Sequence, residues 1–132
     1  MLYLDASALV KRYVEEEGSR DVQTAMTAED AWWMCRVGFV ETCRAVGLAA
    51  GARAVRAFER EWAAFSIVEV DAALSEHAAE LALTADLRSL DALHLAAALV
   101  LPANELTFAT WDVRLHRAAC NEGLTTFPEA LD

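Results

Sequence analysis

The chain has 132 residues, 56% of them apolar and 24% charged, a globular composition that excludes a disordered or low-complexity segment. Its 11 basic and 21 acidic residues give a formal charge of −10, which argues against a protein that wraps nucleic acid with a basic face. The same balance is compatible with a carboxylate site where a cation meets phosphate, and with a basic protein partner.

Leu2, Tyr3 and Leu4 form a short apolar run that predicts a buried first strand. Asp5 stops it, and Ala6–Val10 suits a turn into a helix. A carboxylate where a buried strand gives way to a helix is a candidate site residue, because ligands of open α/β sheets bind beyond the carboxyl ends of the strands. It is equally a good helix N-cap. A helix is predicted over Val10–Glu17 with Gly18 as its C′ residue, and a second from Ser19 or Asp21 to Met26. Ala31–Met34, with its paired tryptophans, reads as a second strand.

The next helix, Arg36–Ala50, puts Val37, Glu41, Ala45 and Leu48 on one stripe, so Glu41 occupies an apolar face where an unpaired carboxylate is costly. Arg44 could pair with it at i,i+3, but such a pair belongs at the helix surface, which leaves Glu41 with a functional reading. After Gly51, Ala52–Ala64 completes a helical hairpin, and Phe65–Val70 reads as a third strand. Asp71 is expected to cap the helix Ala72–Thr84 and to do nothing else; His77 on that helix is read as an ordinary histidine. Ser89 suits an N-cap that puts Asp91 in the first turn of a helix that is apolar all round, hence buried. Asp91 enters the interior and needs a partner, and Arg88 is the nearest counter-charge. Glu105–Thr110 is a fourth strand, ending at Asp112 before the helix Val113–Cys120, and Leu124–Phe127 a last short strand.

Strands alternating with helices predict a parallel sheet covered on both faces. Asp5 and Asp112 stand at strand ends, and Glu41 and Asp91 on helices at positions that should be apolar. Four converging carboxylates would repel one another unless a hard divalent cation joins them. No zinc-like Cys/His spacing occurs, and His94 and His116, lone at helical spacing, are read as packing or surface residues. No P-loop or GxGxxG is present. Cys35, Cys43 and Cys120 are odd in number without CxxC spacing, and Asp5, Lys11 and Arg12 interrupt the only apolar run of the N-terminus, so no secretory leader is read there. The apolar run near Ala92–Leu101 is too short to span a bilayer. Reduced thiols, a cytoplasmic location and no membrane role are expected.

The segments Leu4–Lys11, Glu41, Ser89–Ala96 and Phe108–Leu115, in that order over the whole chain, resemble the PIN-domain family and more narrowly its VapC-type toxin ribonucleases. The resemblance implies a single domain over residues 1–132 with a three-layer α/β/α fold: a central parallel sheet of four to five strands plus the helical hairpin. It implies an acidic quartet of Asp5, Glu41, Asp91 and Asp112 around Mg²⁺ or Mn²⁺, with Ser7 and Thr110 supporting it by hydrogen bonds. His94 matches a position usual in the motif without being a metal ligand. Cys35 or Arg36 stands where many members have a serine, and Trp111 where Tyr or Phe is more usual. The expected activity is endoribonucleolytic hydrolysis of phosphodiester bonds. Asp5 and Asp112 would be direct ligands, Asp91 would complete the shell, and Glu41 would bind a second ion or orient the attacking water. Arg12, Arg36, Arg88 and Arg114 would meet the RNA. A cognate antitoxin and a homodimer are the expected partners. The competing readings are a catalytically silent PIN scaffold that works by protein binding, and a Mg²⁺-dependent phosphohydrolase of the haloacid-dehalogenase kind. The second lacks its DxD motif, because Ser7 stands at the second aspartate.

Overall fold

Leu2–Leu4 forms β1, and the alternation of its three side chains decides the layering. Leu2 and Leu4 pack into one apolar cluster and Tyr3 into another, all three at 1% exposure or less. A strand buried on both faces must be sandwiched by helices, as in all-parallel sheets. The computed structural model describes Met1 to Asp132 and has that arrangement. After β1 come α1 (Ala6–Tyr13), α2 (Ser19–Ala28), β2 (Trp32–Cys35), α3 (Val37–Ala50), α4 (Ala52–Trp62) and β3 (Phe65–Val68). There follow α5 (Ala72–Thr84), α6 (Ser89–Leu99), β4 (Thr107–Ala109), α7 (Val113–Asn121) and β5 (Thr125–Phe127). The strands pair in parallel in the order β3-β2-β1-β4-β5. Side chains of α1, α2 and α4 share a core with Leu2 and Leu4, and those of α5, α6 and α7 share the other with Tyr3 and Phe108. The expected three-layer α/β/α fold with a helical hairpin is the fold observed.

Strand order gives the site its place. From β1 the chain builds outward through β2 to β3, then returns to the other side of β1 for β4 and β5. The β1/β4 boundary is therefore the topological switch point, and the crevice beyond the strand ends opens there. Tyr3 lies opposite Phe108 and Leu4 opposite Ala109, so Asp5 and Thr110 emerge side by side.

Two helices depart from the pattern the sequence suggests. The first starts at Ala6 and ends at Tyr13, four residues earlier than predicted, because Asp5 Oδ1 already accepts the Ala8 N–H at 2.9 Å. Gly18 does not close that helix. It has φ +89° and precedes α2, and a Cβ there would stand 3.0 Å from the Trp111 ring, so both conformation and space require glycine.

On α3 the period is right and the phase is not. Gly38, Thr42 and Val46 are buried, while Leu48 is 74% exposed and Glu41 half-buried. The reason is Gly38, whose missing Cβ lets α3 settle on the fully buried Met34: a Cβ would meet Met34 Cε at 2.6 Å and Cγ at 2.7 Å. Gly→Ala in a helix interior normally gains about 1 kcal/mol. Here overpacking costs about 1–3 kcal/mol, so Gly38→Ala is expected to lower the urea midpoint. A raised midpoint would show that Met34 has room to move.

Candidate active site

Asp5 caps α1 at the mouth of the crevice beyond β1. It is 3% exposed; Oδ1 accepts from the Ala8 N–H at 2.9 Å and the Ser7 hydroxyl at 2.7 Å, and Oδ2 accepts from the Thr110 hydroxyl at 2.6 Å. Burial raises its pKa, and the nearby His94 and then the hydrogen bonds from Thr110, Ser7 and Ala8 oppose that rise. Desolvation wins, since three neutral donors do not replace bulk water around a carboxylate.

Thr110 joins Asp5 to Asp112. Its Oγ1 accepts the Asp112 N–H at 3.1 Å while its proton goes to Asp5. Ser7 Oγ, 3.3 Å from Thr110 Oγ1, accepts the Trp111 N–H at 2.9 Å. The turn after β4 is thus pinned to the turn after β1 by two hydroxyls, beside the backbone bond from the Asp5 N–H to the Ala109 carbonyl at 3.1 Å. Asp112 caps α7 through Oδ1, which accepts the Leu115 N–H at 2.8 Å, and keeps Oδ2 for another partner. That partner is Arg88, whose Nη2 lies 3.0 Å away; Arg88 Nε lies 3.0 Å from Asp91 Oδ2. One guanidinium, with its side chain 74% exposed, thus bridges Asp91 and Asp112. Burial raises the Asp91 pKa, the Asp112 charge adds to the rise, and Arg88 opposes it. Arg88 is the counter-charge expected for Asp91, and it serves Asp112 as well.

Glu41 reaches the same region from α3. It and Asp91 line a cleft of about 310 Å³ with Arg88, Ser89 and Leu90, and Arg88 is also a wall of a second cleft of about 300 Å³ with Asp112, Val113 and Arg114. Glu41 does not pair with Arg44. Its Oε1 lies 2.6 Å from His94 Nε2, and His94 Nδ1 lies 2.7 Å from Tyr3 Oη. His94 is 1% exposed and Tyr3 fully buried. Sequence reasoning passed over both, although a histidine in an all-apolar helix and a carboxylate without a counter-charge were each short of a partner. Asp71 only caps α5, accepting the Leu74 N–H at 2.8 Å, as expected.

The arginines divide into paired and free. Arg12 forks onto Glu61 (Nε to Oε1 2.9 Å, Nη2 to Oε2 2.7 Å), Arg36 pairs with Glu69, Arg88 bridges the two aspartates, and Arg114 Nη1 lies 3.8 Å from Asp86 Oδ2. Six arginines make no ion pair, and four of them, Arg44, Arg53, Arg56 and Arg60, are exposed on α3 and α4.

The donor set suits a hard divalent cation: carboxylate oxygens at a switch point, with two aspartates already sharing one positive charge. As placed, no three of the acidic, histidine or cysteine side chains stand close enough to share an ion. Arg88 holds Asp91 and Asp112 in its own geometry, and a metal would have to replace it. The guanidinium therefore stands in for the cation at these two carboxylates.

A parallel sheet of order 3-2-1-4-5 with acids at its switch point and a helical hairpin after the second strand defines an open, doubly wound α/β class. The PIN domain family model matches residues 2–119, and the chain belongs to the PIN-domain family. Within it, the chain is similar over its whole length to Ribonuclease VapC45 and Ribonuclease VapC49 of Mycobacterium tuberculosis. Each is 37% identical over 141 aligned positions, covering 100% of this chain and 98% of the relative. Among solved structures, VapC20 of Mycobacterium tuberculosis, described as a Sarcin-Ricin loop cleaving toxin, superposes with a TM-score of 0.77 at 15% identity, covering 89% of this chain and 95% of its own. FitAB bound to a DNA fragment superposes with a TM-score of 0.72 at 16% identity, covering 100% and 98%. At these identities the superpositions speak for the fold. No helix is long and apolar enough to cross a membrane.

Proposed function

We propose that the chain is a divalent-cation-dependent endoribonuclease and the toxin half of a toxin–antitoxin pair. The observation that carries the reading is the continuous network Asp5–Thr110–Asp112–Arg88–Asp91 at the sheet's switch point. The whole-length similarity to proteins named as ribonucleases supports it. Asp5, Asp91 and Asp112 would hold Mg²⁺ or Mn²⁺, with Glu41 at its edge. That ion supplies a water acidic enough to attack at neutral pH and charge for the phosphate and leaving oxygen. Ser7 and Thr110 fix the Asp5 carboxylate, Thr110 also fixes the Asp112 backbone, and Glu41 orients the attacking water or a second ion. Purified protein is expected to cut single-stranded RNA with Mn²⁺ and to stop in excess EDTA; cutting that persists in EDTA would overturn the reading. A catalytically silent scaffold has no reason to keep Asp5 ionisable at 3% exposure, and a metal-binding titration separates it from an enzyme.

For the RNA backbone the free cations matter more than the paired ones. Arg12, Arg36, Arg88 and Arg114 spend their charge on carboxylates, whereas Arg53, Arg56 and Arg60 stand free on α4 at i, i+3 and i+7. Replacing these three by alanine is expected to reduce the slope of log affinity against log salt by about 2, at about 0.7 per phosphate contact. An unchanged slope by fluorescence anisotropy would place the RNA elsewhere. The proposed partners are a cognate antitoxin and a second copy of this chain. A toxin–antitoxin complex from Klebsiella pneumoniae is among the structures that share the fold, and an acidic crevice is a receptor for an inserted guanidinium. Arg88, already bridging Asp91 and Asp112, occupies the position such a group would take.

A further inference from the structure

Tyr3, His94 and Glu41 form a line of hydrogen bonds that the acidic quartet alone does not require. We propose that His94, set in one tautomer by Tyr3, is a positioning residue for Glu41, a reading that rests on the nuclease function proposed above. Proton placement follows from donors and acceptors. The Cys35 N–H can only donate, and it lies 3.0 Å from Tyr3 Oη. Tyr3 Oη therefore accepts there and gives its own proton to His94 Nδ1 at 2.7 Å. With Nδ1 accepting, the ring proton sits on Nε2 and is donated to Glu41 Oε1 at 2.6 Å. A doubly protonated ring would direct Nδ1–H at Tyr3 Oη as well. The phenol proton would then have no acceptor at a fully buried position, since Cys35 and His94 are the only partners of that oxygen.

The two side chains that hold the quartet's acids from nearby differ in how firmly they are themselves held. Arg88 cancels charge on Asp91 and Asp112, but its side chain is 74% exposed and free to leave. His94 is 1% exposed and packed in α6, so whatever it donates stays. The His94 Nε2–H holds Oε1 of Glu41 and leaves Oε2 for the crevice. Ordering a metal-site carboxylate through a fixed partner changes metal affinity by about 10–100-fold in comparable sites.

The first arm of the test uses the unmodified protein. Histidine side-chain ¹⁵N NMR is expected to report Nδ1 without a proton and Nε2 with one; the opposite tautomer or a doubly protonated ring at neutral pH overturns the assignment. The second arm compares His94→Gln, whose amide nitrogen can replace Nε2 and reach Glu41, with His94→Asn, whose amide replaces Nδ1, satisfies Tyr3 and stops short. Calorimetric Mn²⁺ binding should weaken about 10–100-fold in His94→Asn and be largely restored in His94→Gln. His94→Asn should cost nothing further in a Glu41→Ala background, because nothing remains to be positioned. Equal losses in the two histidine variants, or a full loss that persists without Glu41, mean that His94 only supports the fold. If the parent protein neither binds Mn²⁺ nor cuts RNA, the nuclease reading itself fails and takes this proposal with it. If the parent does both and His94→Asn binds Mn²⁺ normally, only this proposal falls.

Discussion

Asp5→Asn is expected to remove RNA cleavage while leaving the protein at least as stable at pH 7. The carboxylate is 3% exposed, and burial outweighs its three hydrogen bonds, so holding it ionised costs free energy in the metal-free protein. The amide keeps Oδ1 for the Ala8 N–H and the Ser7 hydroxyl. Its NH₂ can donate to Thr110 Oγ1, which turns its own proton toward Ser7 Oγ, 3.3 Å away. Only the second amide hydrogen is left without an acceptor. For catalysis the loss is one of the negative charges proposed to hold the cation. A metal supplies several kcal/mol of transition-state stabilisation, and forfeiting about 4 kcal/mol lowers the rate about 10³-fold. Initial rates on labelled RNA with Mn²⁺ and thermal melts in EDTA measure the two halves separately. A variant that cuts at the parent rate, or that unfolds at 25 °C, would assign Asp5 to capping alone.

The same burial sets the sign of the pH dependence of the metal-free protein. Asp5 and Asp91 both have raised pKa values, chiefly through desolvation. In the window from the ordinary aspartate value near 4 up to those raised values, the folded state binds more protons than the unfolded one, so stability increases as pH falls. Glu61, held below its usual range by Arg12, works the other way: its contribution is present above its unfolded value and is lost as pH falls through its folded one. Melts in EDTA should therefore show a higher Tm at pH 5 than at pH 7. Asp5→Asn should flatten that difference, and added Mn²⁺ should raise Tm more at pH 7, because the ion needs the ionised acids.

What could be read from the residues alone divides along contact distance. Asp5, Asp71 and Asp112 were legible because capping is local: each aspartate accepts the N–H three residues on. The strand–helix alternation was legible because β1 is apolar on both faces and α6 on all sides. The phase of α3 was not, since VGFVETCRAVGLAA offers apolar residues in almost every direction, and a glycine, invisible to a hydrophobic stripe, chose the buried face against Met34. Glu41 was singled out for standing on the apolar stripe, whereas the structure puts it at the edge of the buried face. Its partner His94 lies 53 residues away, beyond any periodicity. The arginines near the acids stood out by position, but their pairing with Glu61, Glu69 and Asp86 is tertiary.

Thr110→Val is expected to loosen the site without moving its acids along the chain. Valine matches threonine in shape and removes only the hydroxyl, at a position with no exposed surface. That hydroxyl donates to Asp5 Oδ2 at 2.6 Å and accepts the Asp112 N–H at 3.1 Å, so its loss unsatisfies a carboxylate oxygen and an amide together. An unsatisfied buried group costs about 1–3 kcal/mol, which should appear as a lower urea midpoint. Asp5, having lost one donor that favours its ionised form, should titrate at still higher pH. Of the side-chain links between the turns after β1 and β4, only that of Ser7 to the Trp111 N–H would remain. Mn²⁺ affinity should fall about 10–100-fold, the usual effect of deleting a residue that orients a ligand. Thr110→Ser, which keeps the oxygen and discards the methyl, separates the causes. If serine binds Mn²⁺ like the parent and valine does not, the hydroxyl holds the two aspartates in register; if serine is the weaker, the methyl's packing against the sheet is what matters.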